Sequence, residues 1–204
     1  PGGWLGALRP RGMGRLMATL ACVGGTIGAL DLAATAASEE WGQGWIAGAL
    51  PSALSVGAIG GNALYGMRPW PWPVRTQLTV FAAALPLAWL PLAVAHTPAA
   101  AVGATLIAGL AFGPLLTVAF QAVDLLVARS AIREGYGWLI SGMGLGIAAG
   151  SSLAGAIGAP LTLPLAAAAL TALLAATVRR PLAAVAAPAR LGMRFVVLPG
   201  GGER

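Results

Sequence analysis

Residues 16–37 read LMATLACVGGTIGALDLAATAA, a run whose only charge is Asp31. A helix needs about 20 predominantly apolar residues to cross a bilayer, and this run suffices. Arg15 stops it on one side and Ser38-Glu39-Glu40 on the other. Working outward, five more apolar stretches follow, at 44–66, 76–95, 98–127, 137–158 and 160–179. The segments around them alternate in charge. Arg9, Arg11 and Arg15 precede the first stretch, and Arg68 and Arg75 lie between the second and third. Arg129 and Arg133 lie between the fourth and fifth, and Arg179, Arg180, Arg190, Arg194 and Arg204 follow the sixth. The intervening segments 38–43, 96–97 and 159–160 carry no arginine. Basic residues are retained on the cytoplasmic side of a membrane. The pattern therefore predicts an all-α integral membrane protein, a bundle of six transmembrane helices in the plasma (inner) membrane with both termini cytoplasmic. Residues 1–15 read as a cytoplasmic segment, 16–180 as the transmembrane domain and 181–204 as a cytoplasmic tail.

Composition agrees. The chain is 58% hydrophobic and 9% charged, against about 25% charged in soluble domains. Its net charge of +6 sits in short loops beside apolar spans, where it reads as a topology signal and as contact with lipid headgroups, not as a nucleic-acid surface. Cys22 is the only cysteine, which excludes an internal disulfide and argues against a Cys-based metal site. His96 is the only histidine and falls in an outer loop. No His-Glu-x-x-His, Walker Gly-Lys-Ser/Thr or Gly-x-Ser-x-Gly motif occurs. No enzyme, cofactor or metal is expected, and no filter loop suggests a channel. The start, Pro1-Gly2-Gly3-Trp4, lacks the order of a signal peptide; without an initial Met, the reading expects a truncated or processed chain.

Punctuation along the chain is clear. Met67-Arg68-Pro69-Trp70-Pro71-Trp72-Pro73 forbids a helix by its three prolines, and its tryptophans suit the headgroup layer. Pro86, Pro91 and Pro114 predict bends in spans three and four. Glycines recur four apart at Gly24/Gly28, Gly44/Gly48, Gly57/Gly61, Gly109/Gly113 and Gly142/Gly146/Gly150. That spacing lines one helix face and lets two backbones approach. Gly24, Gly28, Gly142, Gly146 and Gly150 are therefore the candidate packing residues.

Charge inside the membrane is costly and marks function or a partner. Asp31 stands 16 residues beyond Arg15, about 24 Å along a helix. Gly24, Gly28 and Thr35 share its face. It is either a protonatable or substrate-facing carboxylate in a polar cavity, or an acid hydrated at the outer interface. Asp124 closes the fourth span with Thr117 and Gln121 on its face, and Arg129 follows about one turn on. An interfacial acid paired with a loop arginine is expected there, an arrangement that can serve as a gate.

The order of these features resembles a known family. The stretch AGLAFGPLLTVAFQAVD (108–124), a short basic loop, then REGYGWL (133–139) and GLGIAAGSSLAG (144–155) look like the tenth and eleventh helices of major facilitator superfamily (MFS) transporters, closest to actinobacterial-type exporters. Glu134, Tyr136 and Trp138 match the Glu-Ala-(aromatic)-x-Trp opening of the eleventh helix, with Gly135 in place of Ala. The loop GMRPWPWPVR (66–75) sits where the superfamily repeats Gly-x-x-x-Asp-Arg-x-Gly-Arg-Arg, keeping the Gly and Arg but not the Asp.

The resemblance, over residues 12–180, implies the C-terminal half of a twelve-helix carrier, with an N-terminal six-helix half as its missing partner. It implies alternating access around a central cavity, driven by protons, and efflux of a small organic molecule. Asp31, Thr35, Thr117 and Gln121 become candidates to line the cavity. Arg68, Asp124, Arg129 and Glu134 become candidates for a cytoplasmic gate. The competing expectation is a six-span subunit that dimerises through its Gly-x-x-x-Gly faces and transports nothing.

Overall fold

The structure is a computed structural model and describes residues 12–158 and 160–186. It holds α1 (Met13–Glu40), α2 (Ile46–Gly66), α3 (Val74–Ala93), α4 (Pro98–Leu126), α5 (Ile132–Ala156) and α6 (Leu163–Ala186), with a 3-10 turn at Arg129–Ala131 before α5. No strand occurs among the described residues. Arg9, Arg11, Arg190, Arg194 and Arg204 lie outside them.

The helix ends follow local chemistry. Thr97 caps α4, its Oγ1 accepting from the Ala100 N–H at 3.3 Å, and Pro98 takes the first turn, where its missing N–H costs nothing. Between α1 and α2 the chain reverses at Gly42, whose φ of 63° suits a residue without Cβ. The loop of residues 67–73 is non-helical, and Pro73 precedes the first turn of α3. α3 runs unbroken through Pro86 and Pro91, and α4 through Pro114.

Three helices, α1, α5 and α6, are longer than the apolar stretches that signalled them. α1 begins at Met13 and α5 at Ile132, both ahead of the expected 16 and 137. α6 begins later than expected, at Leu163, and continues to Ala186 through part of the segment read as a tail. Four of the helical segments, Met13–Glu40, Val74–Ala93, Pro98–Leu126 and Arg129–Ala156, are long and apolar enough to cross a membrane, while α6 contributes a shorter apolar stretch, Leu163–Val178.

α1 and α4 are central. Their apolar windows are 61% and 56% buried, against 33% for α3 and 28% for the segment containing α5. α1 packs on α5, α6 and α2; α4 packs on α2, α3 and, lightly, α5; α3 and α6 pack on each other. Exchanging α1 with α4, α2 with α5 and α3 with α6 reproduces that pattern of neighbours. The match extends to single residues. A Cβ on Gly24 would meet the Met143 backbone, and one on Gly28 the Ile147 carbonyl. A Cβ on Gly109 would meet Leu54, and one on Gly113 would meet Ala58. Gly24 and Gly28 stand 11 and 15 residues beyond the start of α1; Gly109 and Gly113 stand 11 and 15 beyond the start of α4. From the other side, Gly146 and Gly150 press on the backbones of Ala21 and Gly25, while Gly57 and Gly61 press on those of Leu106 and Leu110. Ala21 and Leu106 hold the same register in their helices, as do Gly25 and Leu110.

Contact numbers rise together along α1 and α5, and along α2 and α4, so each seam is parallel. Five residues (41–45) reverse the chain between α1 and α2. α1 therefore runs opposite to α4, and the chain is two three-helix units of inverted sense, each lending its second helix to the other's first. In lipid such seams are held by close backbone packing, not by apolar burial. The same geometry gathers Arg15, Arg68, Arg75, Arg129 and Arg133 at one end of the bundle, where Arg15 Nη1 donates to the Thr177 carbonyl of α6 at 3.0 Å.

Candidate functional site

Two polar groups occupy the exposed faces of the central helices. The first lies along α4 and its seam with α2. Thr117 Oγ1 hydrogen-bonds Asn62 Oδ1 at 2.9 Å. The seam's parallel register, one residue pair beyond Ala58 and Gly113, brings these two together. Half-buried Gln121 and exposed Asp124 continue that face of α4 toward the arginine-rich end. Asp124 Oδ1 accepts from the Tyr136 hydroxyl of α5 at 2.6 Å. The Tyr136 ring stands edge-on to Phe120, 5.4 Å between centroids. Thr117, Gln121 and Asp124 are thus part of one polar strip, and it includes Asn62 and Tyr136, neither of which the sequence marks as a cavity or gate residue.

The second group is on α1. Asp31 and Thr35 are exposed, and Thr35 Oγ1 donates to the Asp31 backbone carbonyl at 3.0 Å. The Asp31 carboxylate has no hydrogen-bond partner among the described residues. Below it, Gly24 and Gly28 are committed to the α5 seam, and Ser151 Oγ donates to the Gly28 carbonyl at 3.2 Å. Gly142 lies on the same seam, where its Cβ position is 3.4 Å from the Met17 carbonyl.

The expected gate residues come together only in part. Asp124 meets Tyr136, while Arg129 stands exposed in the 3-10 turn. α4 ends at Leu126 and the chain turns, so a residue one turn on in sequence is no longer one turn on in a helix. Glu134 accepts from Trp138 Nε1 at 3.3 Å, within α5. Arg68 is exposed in the loop after α2. Tyr136→Phe should cost about 0.5–1 kcal/mol, below the ~1.5–3 usual for a bond to a charged acceptor because the site is open to solvent. A thermal melt would show it, and an unchanged midpoint would mean the bond carries nothing.

That loop is itself ordered by aromatic contacts. Tyr65 stacks on Trp70 at 5.5 Å, and Phe81 meets both rings edge-on. Buried Gln77 is the tie: its Oε1 accepts from the Tyr65 hydroxyl and its Nε2 donates to the Trp72 carbonyl, both at 2.6 Å. Gln77→Leu leaves that carbonyl and hydroxyl without their partner, so it should cost about 2 kcal/mol. Tryptophan emission should shift to the red as the loop opens. Unshifted emission at unchanged stability would show that the rings hold the loop alone.

Among the described residues no cluster of three or more His, Cys, Asp or Glu side chains could hold a metal ion. Cys22 is half-buried on α1 and His96 is exposed after α3. Apolar helices of spanning length, parallel glycine seams and polar strips on the central helices give the chain the make-up of a membrane protein. No family model, curated protein or solved structure matches this chain.

Proposed function

We propose that this chain is one half of a secondary active transporter. All six helices span the bilayer, and the face bearing Asp31, Thr117 and Gln121 borders a substrate cavity completed by a second six-helix half. The reading follows the resemblance to MFS exporters: small organic molecules leave the cell by alternating access, coupled to protons, with both chain ends in the cytoplasm.

The inverted repeat is the observation that carries it. Many secondary transporters are built from inverted repeats, with the site at the repeat interface near the midplane. An inversion supplies two conformations of similar energy, because each can be reached from the other by exchanging the arrangements of the repeats. Polar side chains on exposed faces of α1 and α4 fit a water-filled cavity better than lipid.

The reading as a subunit that dimerises through glycine faces is less well served. Four of the five glycine runs are already used inside the chain; at Gly44 and Gly48 a Cβ would meet nothing within 4 Å.

Everted membrane vesicles from cells making the native gene product test the proposal. Lipophilic fluorescent compounds should accumulate when an inside-acid gradient is imposed and leak out when it is collapsed. No gradient-dependent accumulation across a chemically broad panel would refute it.

A further inference from the structure

We infer that the cleft between α1, α5 and α6 holds an acyl chain of an anionic phospholipid whose headgroup sits on Arg15. The cleft measures about 520 Å³ and its lining is wholly alanine, glycine, leucine and Cys22. That volume lies within the ~300–1,000 Å³ range of small-molecule pockets. Its floor on α1 is Ala21, Cys22, Gly25 and Ala29.

The inverted repeat shows that the architecture does not demand this cleft. The positions of α4 in the same register are Leu106, Ile107, Leu110 and Pro114. There the side chains are bulkier, and the Leu110 Cδ2 stands 3.5 Å from a Cβ position on Gly60. On α1 all four floor positions but proline's counterpart have lost that bulk, and even Ala29 offers only a methyl. A Cβ at Gly25 would itself meet only ordinary contacts, at 3.7 Å from Gly146 and 3.8 Å from Ala167.

Charge identifies the occupant. Arg15 lies on α1 below the cleft, and its Nη1 bonds α6 at Thr177, so it bridges two of the three helices that form the walls. The guanidinium has five N–H donors; that bond uses one. The floor begins about 9 Å above Arg15 and ends about 21 Å above it, at 1.5 Å per residue. The midplane of a ~30 Å hydrocarbon core lies about 15 Å from either edge, so a chain whose headgroup sits on Arg15 enters the near part of the cleft, which extends past the midplane. The counterpart of Arg15 on α4 is Ala100, so the corresponding groove lacks the cation. An apolar slot with a cation on the same helix about 9 Å below it matches a phospholipid with net negative charge.

Native mass spectrometry of the intact gene product in mild detergent tests this, with phosphatidylglycerol or phosphatidylcholine added. One phosphatidylglycerol should stay bound where phosphatidylcholine does not. Arg15→Gln should weaken retention about fivefold. Cys22→Ile, which installs the side chain of the α4 counterpart, should abolish it, while Cys22→Ala keeps it. Equal retention of both lipids, or retention unchanged in Arg15→Gln, would overturn the inference. Loss of a dimer in place of a lipid on Cys22→Ile would overturn it too, by showing a second copy in the cleft. Arg15 is exposed, so its variant decides the matter even if Cys22→Ile misfolds.

Discussion

Gly146→Val should cost about 3 kcal/mol or more and leave little folded protein. The glycine faces the Ala21 backbone so closely that any Cβ would sit inside the carbonyl oxygen's contact radius. The neighbour is main chain and cannot swing away. α1 and α5 must separate, which forfeits the seam along its whole length, at or beyond the ~1–3 kcal/mol usual for overpacking. The inverted repeat sharpens the expectation. Gly57→Val meets the Leu106 carbonyl in the same register and should cost the same within about 0.5–1 kcal/mol. Gly48→Val, with nothing within 4 Å, should stay within about 0.5 kcal/mol of the parent. Unfolding in a graded denaturing detergent would rank the three. A mild Gly146→Val would show that the seam is looser than its geometry.

On the proposed function, Asp31→Asn should remove the dependence of transport on a pH gradient while leaving the amount of folded protein unchanged. The carboxylate lies on an exposed face of α1 about 24 Å from Arg15 along the helix, with no bonded partner among the described residues. A carboxylate at that depth faces a cavity, pairs or takes a proton. Asparagine fills the same space and cannot ionise, so a coupled cycle loses its proton step. Gradient-driven uptake should fall by tenfold or more, the effect of losing roughly 1.4 kcal/mol of coupling. Asp31→Glu should keep part of it. Uptake in the Asn variant equal to the parent would remove Asp31 from the coupling path without touching the fold.

Much of the bundle is legible in the chain, and particular residues show where legibility stops. The spans announce themselves because hydrocarbon leaves the backbone no partner but its own helix. Their ends do not, since hydropathy falls at the first charge while helical hydrogen bonding continues. Arg133 and Glu134 sit inside α5, and Arg15 sits inside α1, for that reason. Gly-x-x-x-Gly spacing marks a face but names no partner. Gly44 and Gly48 carry the spacing and touch nothing, while Gly57 and Gly109, 52 positions apart, share a seam. Asp124 was matched to Arg129 by nearness in sequence; the turn after Leu126 gives it Tyr136 instead. The cleft over Cys22 could not be read at all, because it appears only once α1, α5 and α6 are packed together.

The seams also impose an order of events on synthesis. α1 finds its principal partner in α5, and α2 in α4. When Glu40 leaves the ribosome, the residues that will cover Gly24 and Gly28 are about a hundred codons away. At about 5–20 residues per second that delay is roughly 5–20 seconds. During it α1 sits in the membrane or the insertion machinery with a bare glycine face and an aspartate. α2 waits a shorter time, and its closure on α4 precedes that of α1 on α5. Slowing elongation between the codons for α2 and α5 should therefore expose the first helix to membrane proteases, whereas slowing it after Ala156 should not.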